Sequence, residues 1–223
     1  MLIHPAEARR RFNEYAEGEI TNANLAEGAL LVALEDYPGV DIAHYAAALD
    51  ELAGRVERRS VDGAPAVLRL DHLHEEMFVR DAYLGDTENY YAPRNAYLNE
   101  VIDRKRGLPI MLSIVFLHVA AKVGLTASGV GLPGHFIVKV QFGLGEVYVD
   151  PFYGGHTLTV AEIGALLLRL SGGVTKLSSE HLRAWSGRET LHRVHANLVA
   201  MWTRAGDRRR AQAARERMEL LTE

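Results

Sequence analysis

Cysteine is missing from this chain of 223 residues. Its absence excludes disulfide bonds, thiolate metal ligands and cysteine nucleophiles. Long apolar runs are missing too, because the most apolar stretch covers only residues 110–121, whereas a membrane-spanning helix needs about 20 such residues. The first residues, MLIHPAEARRRF, contain no apolar segment of signal-peptide length. We therefore expect a cytoplasmic protein without membrane contact.

A strong charge of either sign is also absent. The chain has 25 Lys and Arg against 29 Asp and Glu, which gives a net charge of −4. There is thus no basic surplus that would indicate nucleic acid as a partner. Hydrophobic residues make up 48% and charged residues 24%, which are ordinary values for a globular protein. A chain of this length can bury a sizeable core in one or two domains.

The apolar stretch predicts a core helix. Pro109 suits the first helical position, and Gly124 suits the residue just past the end. Within 110–121 only Ser113 and His118 are polar, so this helix has no side that could face solvent. We predict that it is buried all round.

The stretch 135–150 predicts a β-hairpin, because its side chains alternate between two faces. The apolar face contains Phe136, Val138, Val140, Phe142, Val147 and Val149, and the other face contains His135, Ile137, Lys139, Gln141, Glu146, Tyr148 and Asp150. Gly143-Leu144 fits a two-residue type II′ turn, which places Phe142 opposite Gly145. In that register His135 and Asp150 become diagonal neighbours, with about 7–8 Å between their Cα atoms. We expect their side chains to be hydrogen-bonded on one face.

Amphipathic helices are predicted on both sides of this core. We expect an N-terminal helical region at 1–85, a core at 86–158 and C-terminal helices at 159–223. Sequences typical of capping boxes predict three helix starts, at Asn24 with Glu27, Thr159 with Glu162 and Ser186 with Glu189. The expected fold class is α+β, in which a buried helix packs against a small antiparallel sheet.

Four motifs carry a resemblance to a known family. They are NYYAPRNAYLNEV at 89–101, RGLPI at 106–110, GLPGHF at 131–136 and DPFYGG at 150–155. In this order they resemble the bacterial SirB-type branch of the transglutaminase-like superfamily. The similarity extends over nearly the whole chain, and the last two helices resemble one tetratricopeptide unit. The resemblance implies a transglutaminase-like, or papain-like, core.

In active relatives, the resemblance implies a cysteine nucleophile at the start of the core helix, a histidine base and an orienting aspartate. His135 and Asp150 match the last two roles. The nucleophile position falls on Pro109, and Ser113, one turn later, is the nearest hydroxyl. For His135 and Asp150 we favour a site geometry over a hydrogen bond that only closes the hairpin.

Three further residues each allow a structural and a functional interpretation. Ser113 could act as a nucleophile with His135 as its base, but we favour a packed side chain whose hydroxyl bonds the carbonyl of Pro109. Asn95 and Asn99 precede the core helix and, with Pro109, are expected to line the cleft. For Asn95 we favour a helix cap. Asn99 is as readily a structural residue as an amide donor to an oxyanion.

The ten histidines do not predict a metal site. His72 and His74 are two positions apart on a helix and point in different directions. His192 and His195 share a face, but no carboxylate accompanies them at ligand spacing. We expect no metal and no cofactor.

Two functions from different classes remain. The missing cysteine favours a non-catalytic module that binds a protein or peptide partner in the cleft. The alternative is an acyl-transfer or amide-hydrolysing enzyme, which would use His135 and Asp150 with Ser113 or an activated water.

Overall fold

A computed structural model describes residues 2–61, 63–143 and 145–222. The helices are α1 (Pro5–Ala16), α2 (Leu25–Ala33), α3 (Ile42–Arg59), α4 (Ala66–His74), α5 (Leu98–Arg104), α6 (Pro109–Lys122), α7 (Val160–Leu170), α8 (Gly187–Arg204) and α9 (Arg208–Glu219). The strands are β1 (Leu84–Gly85), β2 (Arg106–Gly107), β3 (Ala127–Leu132), β4 (His135–Phe142), β5 (Gly145–Asp150) and β6 (His156–Leu158). Helices therefore precede and follow a central antiparallel sheet, which confirms the α+β class.

Helix α6 is buried from its first residue to Ala120. Pro109 occupies its first turn, where the missing N–H leaves no hydrogen bond unmade. Every residue from Pro109 to Ala120 is buried, because the helix carries apolar side chains on all sides. It contacts strands β3 and β4 as well as helices α2, α3, α5 and α8. The predicted core helix is confirmed.

The main sheet has four antiparallel strands in the order β3-β4-β5-β6. Strands β4 and β5 pair with Phe142 opposite Gly145 and Val140 opposite Val147, as predicted. Gly143 has a φ of +49°, and Leu144 lies outside the described residues, so the type II′ turn stays a prediction. The outer strands β3 and β6 were not predicted.

The two faces of β4 are both covered, whereas alternation predicted a half-buried strand. Phe136, Val138 and Val140 belong to the main core with α6. On the opposite face, Ile137 packs in a second cluster with Tyr148 and with residues of α7. The apolar stripe of α7 covers this face of the sheet and thereby explains the difference.

The predicted capping boxes of α7 and α8 are present, at Thr159 with Glu162 and at Ser186 with Glu189. The box predicted at Asn24 is wrong, since the Asn24 side chain makes no bond to the first turn of α2. Instead its oxygen accepts from the backbone N–H of Thr21, and its nitrogen donates to the carbonyl of Glu19. Asn24 thus stabilises the loop that precedes α2, and its side chain does not cap that helix.

A short two-stranded parallel sheet, which was not predicted, lies before α6 in the chain. Strand β1 pairs in parallel with β2, with Leu84 opposite Arg106 and Gly85 opposite Gly107. This pair joins the two ends of the intervening segment 86–105. That segment contains a 3-10 turn, Pro93–Ala96, and α5.

One continuous hydrophobic core includes residues from all three predicted regions, from Phe12 through Phe116 to Leu198. The boundaries predicted between these regions, after residues 85 and 158, stay predictions. Buried charge links the two ends of the chain, because Glu35, in the turn after α2, binds Arg9 of α1 and Arg217 of α9. Across the part of the chain that the structure describes, no helix combines the length and the apolar character that a membrane crossing requires.

His195 lies in this core without exposed surface, and neither ring nitrogen has a hydrogen-bond partner among the described residues. Its ring meets that of Phe12 edge-on, with 5.1 Å between the centroids. Burial, helped by the charge of Arg217, holds the pKa of His195 well below its ordinary value of 6.5. The folded protein therefore keeps this ring neutral.

We expect the protein to lose stability as the pH falls below about 6.5, and His195→Leu to remove part of that loss. Because the pKa is lower in the folded chain than in the unfolded chain, the unfolded chain takes up the proton first. The stabilising effect is complete above the unfolded-state pKa and declines towards the folded-state pKa, by about 1.4 kcal/mol per pH unit. Urea unfolding over this pH range measures the slope. The exposed His44→Leu change is the control, and equal slopes in all three proteins would contradict the expectation.

Gly154 and Gly155 offer a matched pair of substitutions, because both have a positive φ, of +68° and +76°. A Cβ at Gly155 would lie 2.3 Å from the Phe78 ring, whereas a Cβ at Gly154 would meet only Leu84, at 3.6 Å. We expect Gly154→Ala to cost about 1–2 kcal/mol for its backbone conformation. Gly155→Ala should cost about 1–3 kcal/mol more, from overpacking. Equal losses in urea unfolding would show that the Phe78 contact relaxes freely.

Candidate functional site

His135 and Asp150 form a buried pair at one end of the central hairpin. His135 begins β4 and Asp150 ends β5, so the register brings both side chains to the same face. His135 Nε2 lies 2.7 Å from Asp150 Oδ2, and the two residues are only 6% and 1% exposed. The predicted hydrogen bond is confirmed. Because Nε2 faces the carboxylate, Nδ1 is the nitrogen left for another group.

The carboxylate of Asp150 is held through both of its oxygens. While Oδ2 binds His135, Oδ1 accepts from the backbone N–H of Phe152 at 3.0 Å and of Tyr153 at 3.4 Å. These contacts cap the 3-10 turn Pro151–Tyr153. An acceptor fixed in this way keeps the imidazole in one orientation.

Aromatic rings surround the histidine. Phe152 and Tyr153 lie 5.8 and 6.0 Å from the His135 ring, measured between centroids. Tyr90 contacts Phe152 at 5.9 Å and Tyr91 at 5.2 Å. Tyr91 and Tyr153 are 58% and 52% exposed. Large aromatic surface therefore remains open to solvent beside the buried pair.

A small cavity opens at His135, with a volume of about 20 Å³. Its lining consists of Tyr90, Pro109, Ile110, Gly134, His135, Phe136, Arg193 and Asn197. The first turn of α6 and the start of β4 thus meet there, and Pro109 shares a cavity wall with His135. The space is sufficient for one water molecule or one small polar group.

Ser113 does not take part in this cavity. The residue has no exposed surface, and its hydroxyl makes no hydrogen bond within the described residues. The predicted bond to the Pro109 carbonyl is therefore wrong, and a bond from Ser113 to His135 is equally lacking. Since α6 has no open side, Ser113 fills space as a small side chain in the core.

Asn95 and Asn99 are buried, but neither belongs to the lining of the cavity. The predicted cap at Asn95 is wrong, because Pro93 begins a 3-10 turn and α5 starts only at Leu98. The Asn95 amide instead donates to the carbonyl of Asn89 at 2.8 Å, and its oxygen accepts from Arg104 at 2.9 Å.

The amide oxygen of Asn99 has no partner within the described residues. The residue is 4% exposed and lies on α5, which contacts α2 and α6. Its location gives it no access to the His135 cavity, so the suggested role as an oxyanion donor gains no support from the geometry.

Arg193 and Asn197 of α8 are site residues that sequence reasoning missed. They are four positions apart, so they share one helix face, and both line the cavity. The available signal was a pair of polar side chains beside the apolar stripe of α8. That signal does not say which surface the helix covers. Among the described residues, no group of three His, Cys, Asp or Glu side chains could hold a metal ion.

We expect Asp150→Ala to destabilise the protein by about 3 kcal/mol, because it leaves the buried His135 and the Phe152 N–H without their acceptor. Asp150→Asn should cost less, since its side-chain oxygen can still cap the turn. Urea unfolding measures both losses. NMR of the ring nitrogens should show that His135 keeps its proton on Nε2 only while Asp150 is present. An unchanged tautomer in Asp150→Ala would contradict this account.

Comparison with known proteins identifies a matching family and several relatives that are similar to this chain in sequence. Residues 43–196 match the family described as the Transglutaminase-like superfamily. A UPF0162 protein of Xylella fastidiosa is 31% identical over 152 residues, which cover 68% of this chain and 54% of the relative. The UPF0162 protein of Pseudomonas aeruginosa is 31% identical over 183 residues, which cover 82% of this chain and 66% of the relative.

More distantly, human F-box only protein 21 is 26% identical over 163 residues, which cover 68% of this chain and 24% of that protein. This chain thus spans between about half and two thirds of the length of the bacterial relatives. No solved structure matches it. The family match includes α6, both members of the His135–Asp150 pair and Arg193. The chain belongs to the transglutaminase-like superfamily.

Proposed function

We propose that this chain is a non-catalytic, transglutaminase-like module that binds a protein or peptide at the His135 cavity. One observation carries the proposal. Pro109, on which the nucleophile position falls, shares a cavity wall with His135. A proline ring offers no atom that can attack a carbonyl carbon. A base and its orienting carboxylate therefore stand beside a position without a nucleophile.

The surroundings of the cavity favour binding. Tyr91 and Tyr153 expose more than half of their surface beside it, and aromatic side chains contribute most strongly to protein and peptide interfaces. The cavity adds polar groups from His135, Arg193 and Asn197, which could fix the orientation of a ligand. We infer that the aromatic rim supplies affinity and the cavity supplies selectivity.

The test is selection of peptides from a random phage-displayed library against the purified chain, followed by affinity measurements on variants. Tyr91→Ala and Tyr153→Ala should each weaken binding of the selected peptides about tenfold or more, because each removes an exposed aromatic anchor. Ser113→Ala should bind as the parent does, since Ser113 lies outside the cavity.

Val67→Ala is the matched control for lost exposed apolar surface. Val67 is 57% exposed on α4, whose Arg69 bonds the carbonyl of Val123 at the far end of α6. That end lies roughly 20 Å from Pro109 along the helix. If the tyrosine variants bind as well as Val67→Ala does, the cavity rim is not the binding surface.

A second candidate function is amide hydrolysis or acyl transfer that uses an activated water. The cavity beside His135 has room for one water molecule, and a histidine oriented by a carboxylate can serve as a general base. Because the buried hydroxyl of Ser113 has no partner in the described part of the chain, water is favoured over Ser113 as the reacting group in this alternative.

Two measurements separate the candidates. Under the binding proposal, a serine-directed covalent probe leaves Ser113 unlabelled, and amide substrates are not turned over. Labelling of Ser113 that disappears in His135→Ala would support the enzyme instead, since only an activated hydroxyl reacts in that coupled way. So would turnover lost equally in His135→Gln and Asp150→Asn.

We also propose a cytoplasmic location and membership of the SirB-type branch, with a tetratricopeptide-like tail. The helices α8 and α9 support the last point, because a short connection folds them into a helical hairpin. Arg210 of α9 stacks on Trp202 of α8, 4.6 Å from the ring centroid. A single hairpin of this kind would extend the core and does not form an array of repeats.

A further inference from the structure

Arg193 is half-buried at the cavity, and none of the described acidic residues pairs with it. Its Nη2 lies 3.4 Å from the carbonyl oxygen of Leu132, and it forms no ion pair within the described residues. Burial lowers the pKa of Arg193 from its ordinary value, and only Tyr90 opposes that effect. A guanidinium remains charged at neutral pH even so. The cavity therefore contains a cation that no described residue neutralises.

Arg193 is bonded more weakly than several other half-buried arginines. Arg69, Arg106 and Arg188 also lack an acidic partner among the described residues, but each donates to a backbone carbonyl at 2.6 to 2.8 Å. The contact of Arg193 with Leu132, by contrast, is 3.4 Å long.

Two further half-buried arginines are paired with carboxylates. Arg55 binds Glu76 and Asp81, and Arg210 binds Asp36 at 2.7 Å. A guanidinium that has lost water is stabilised chiefly by such charge-assisted bonds. An unpaired guanidinium that faces a cavity therefore indicates that an anion binds there from solution.

We propose that the His135 cavity binds a carboxylate group, held by the guanidinium of Arg193 and oriented by the amide of Asn197. The inference rests on the binding function proposed above and names the chemical group that the cavity selects. Arg193 and Asn197 follow each other by one turn of α8, so both reach the cavity from one side. His135 and Tyr90 close it from the other elements.

A carboxylate fits better than a phosphate for two reasons. The planar guanidinium matches the two oxygens of a carboxylate, and its single charge matches a single negative charge. The cavity, at about 20 Å³, also admits only a small group. The carboxylate has two sources: the C-terminus of a peptide or a small free acid.

The first experiment titrates the full chain with sodium acetate, with sodium chloride at equal ionic strength as the reference. The ring signals of His135 are followed by NMR, after assignment with His135→Gln. We expect a saturable shift with acetate and none with chloride. Arg193→Gln should weaken acetate binding at least tenfold, and Arg193→Lys should restore only part of it, because lysine keeps the charge but not the fork.

Arg209→Gln is the matched control, because it removes one exposed arginine of α9 that does not line the cavity. It should bind acetate as the parent does. Asn197→Ala gives a second cavity variant, with an expected loss of severalfold. If the parent shows no saturable acetate shift, or if Arg193→Gln and Arg209→Gln bind equally, the carboxylate site is refuted.

The second experiment compares the tripeptide Ala-Ala-Phe with a free C-terminus and with a C-terminal amide. If the free tripeptide binds more tightly than acetate and the amidated tripeptide loses that binding, the site is assigned to peptide C-termini. Equal affinity for acetate and the free tripeptide assigns it to small acids, in which case the carboxylate site holds and the peptide-binding function fails. Equal binding of both tripeptides would refute the carboxylate site while leaving peptide binding intact.

Discussion

Burial of α6 on every side is the constraint to which the other elements conform. A helix with apolar side chains around its whole circumference has to be covered by protein in all directions. Helices from the N-terminal and C-terminal parts of the chain and two strands of the sheet provide that cover. The same packing fixes the position of the first turn of α6. Pro109 therefore lies in the wall of the cavity at the start of β4.

Alternation along β4 and β5, together with the two-residue turn predicted at Gly143-Leu144, was sufficient to predict their register, because a shift by one residue would exchange the two faces of the hairpin. Once the register is known, His135 and Asp150 have to be diagonal neighbours, and their hydrogen bond follows. The cover on that face could not be predicted in the same way. An apolar stripe predicts that α7 packs against something, but not that it packs against Ile137 and Tyr148.

Two site residues show where local patterns stop being informative. An asparagine ahead of an apolar helix is a favourable cap, yet the 3-10 turn begun by Pro93 turns Asn95 towards Asn89 and Arg104. Arg193 reaches the cavity because α8 packs on that turn and on α6. Periodicity predicts a helix and its buried face. The docking of distant elements depends on the fit of two surfaces, which periodicity does not describe.

The absence of a nucleophile changes what the remaining groups can do. In acyl transfer, a cation beside the base would stabilise the oxyanion as it develops. With Pro109 in the cavity wall no oxyanion forms under the binding proposal, and the charge of Arg193 acts only on a ligand that enters. The desolvation cost of that unpaired guanidinium is carried by the free protein and is offset when an anion binds. Interactions that would stabilise a transition state in an enzyme then stabilise the bound ligand instead, because nothing in the cavity distinguishes a transition state from a ground state.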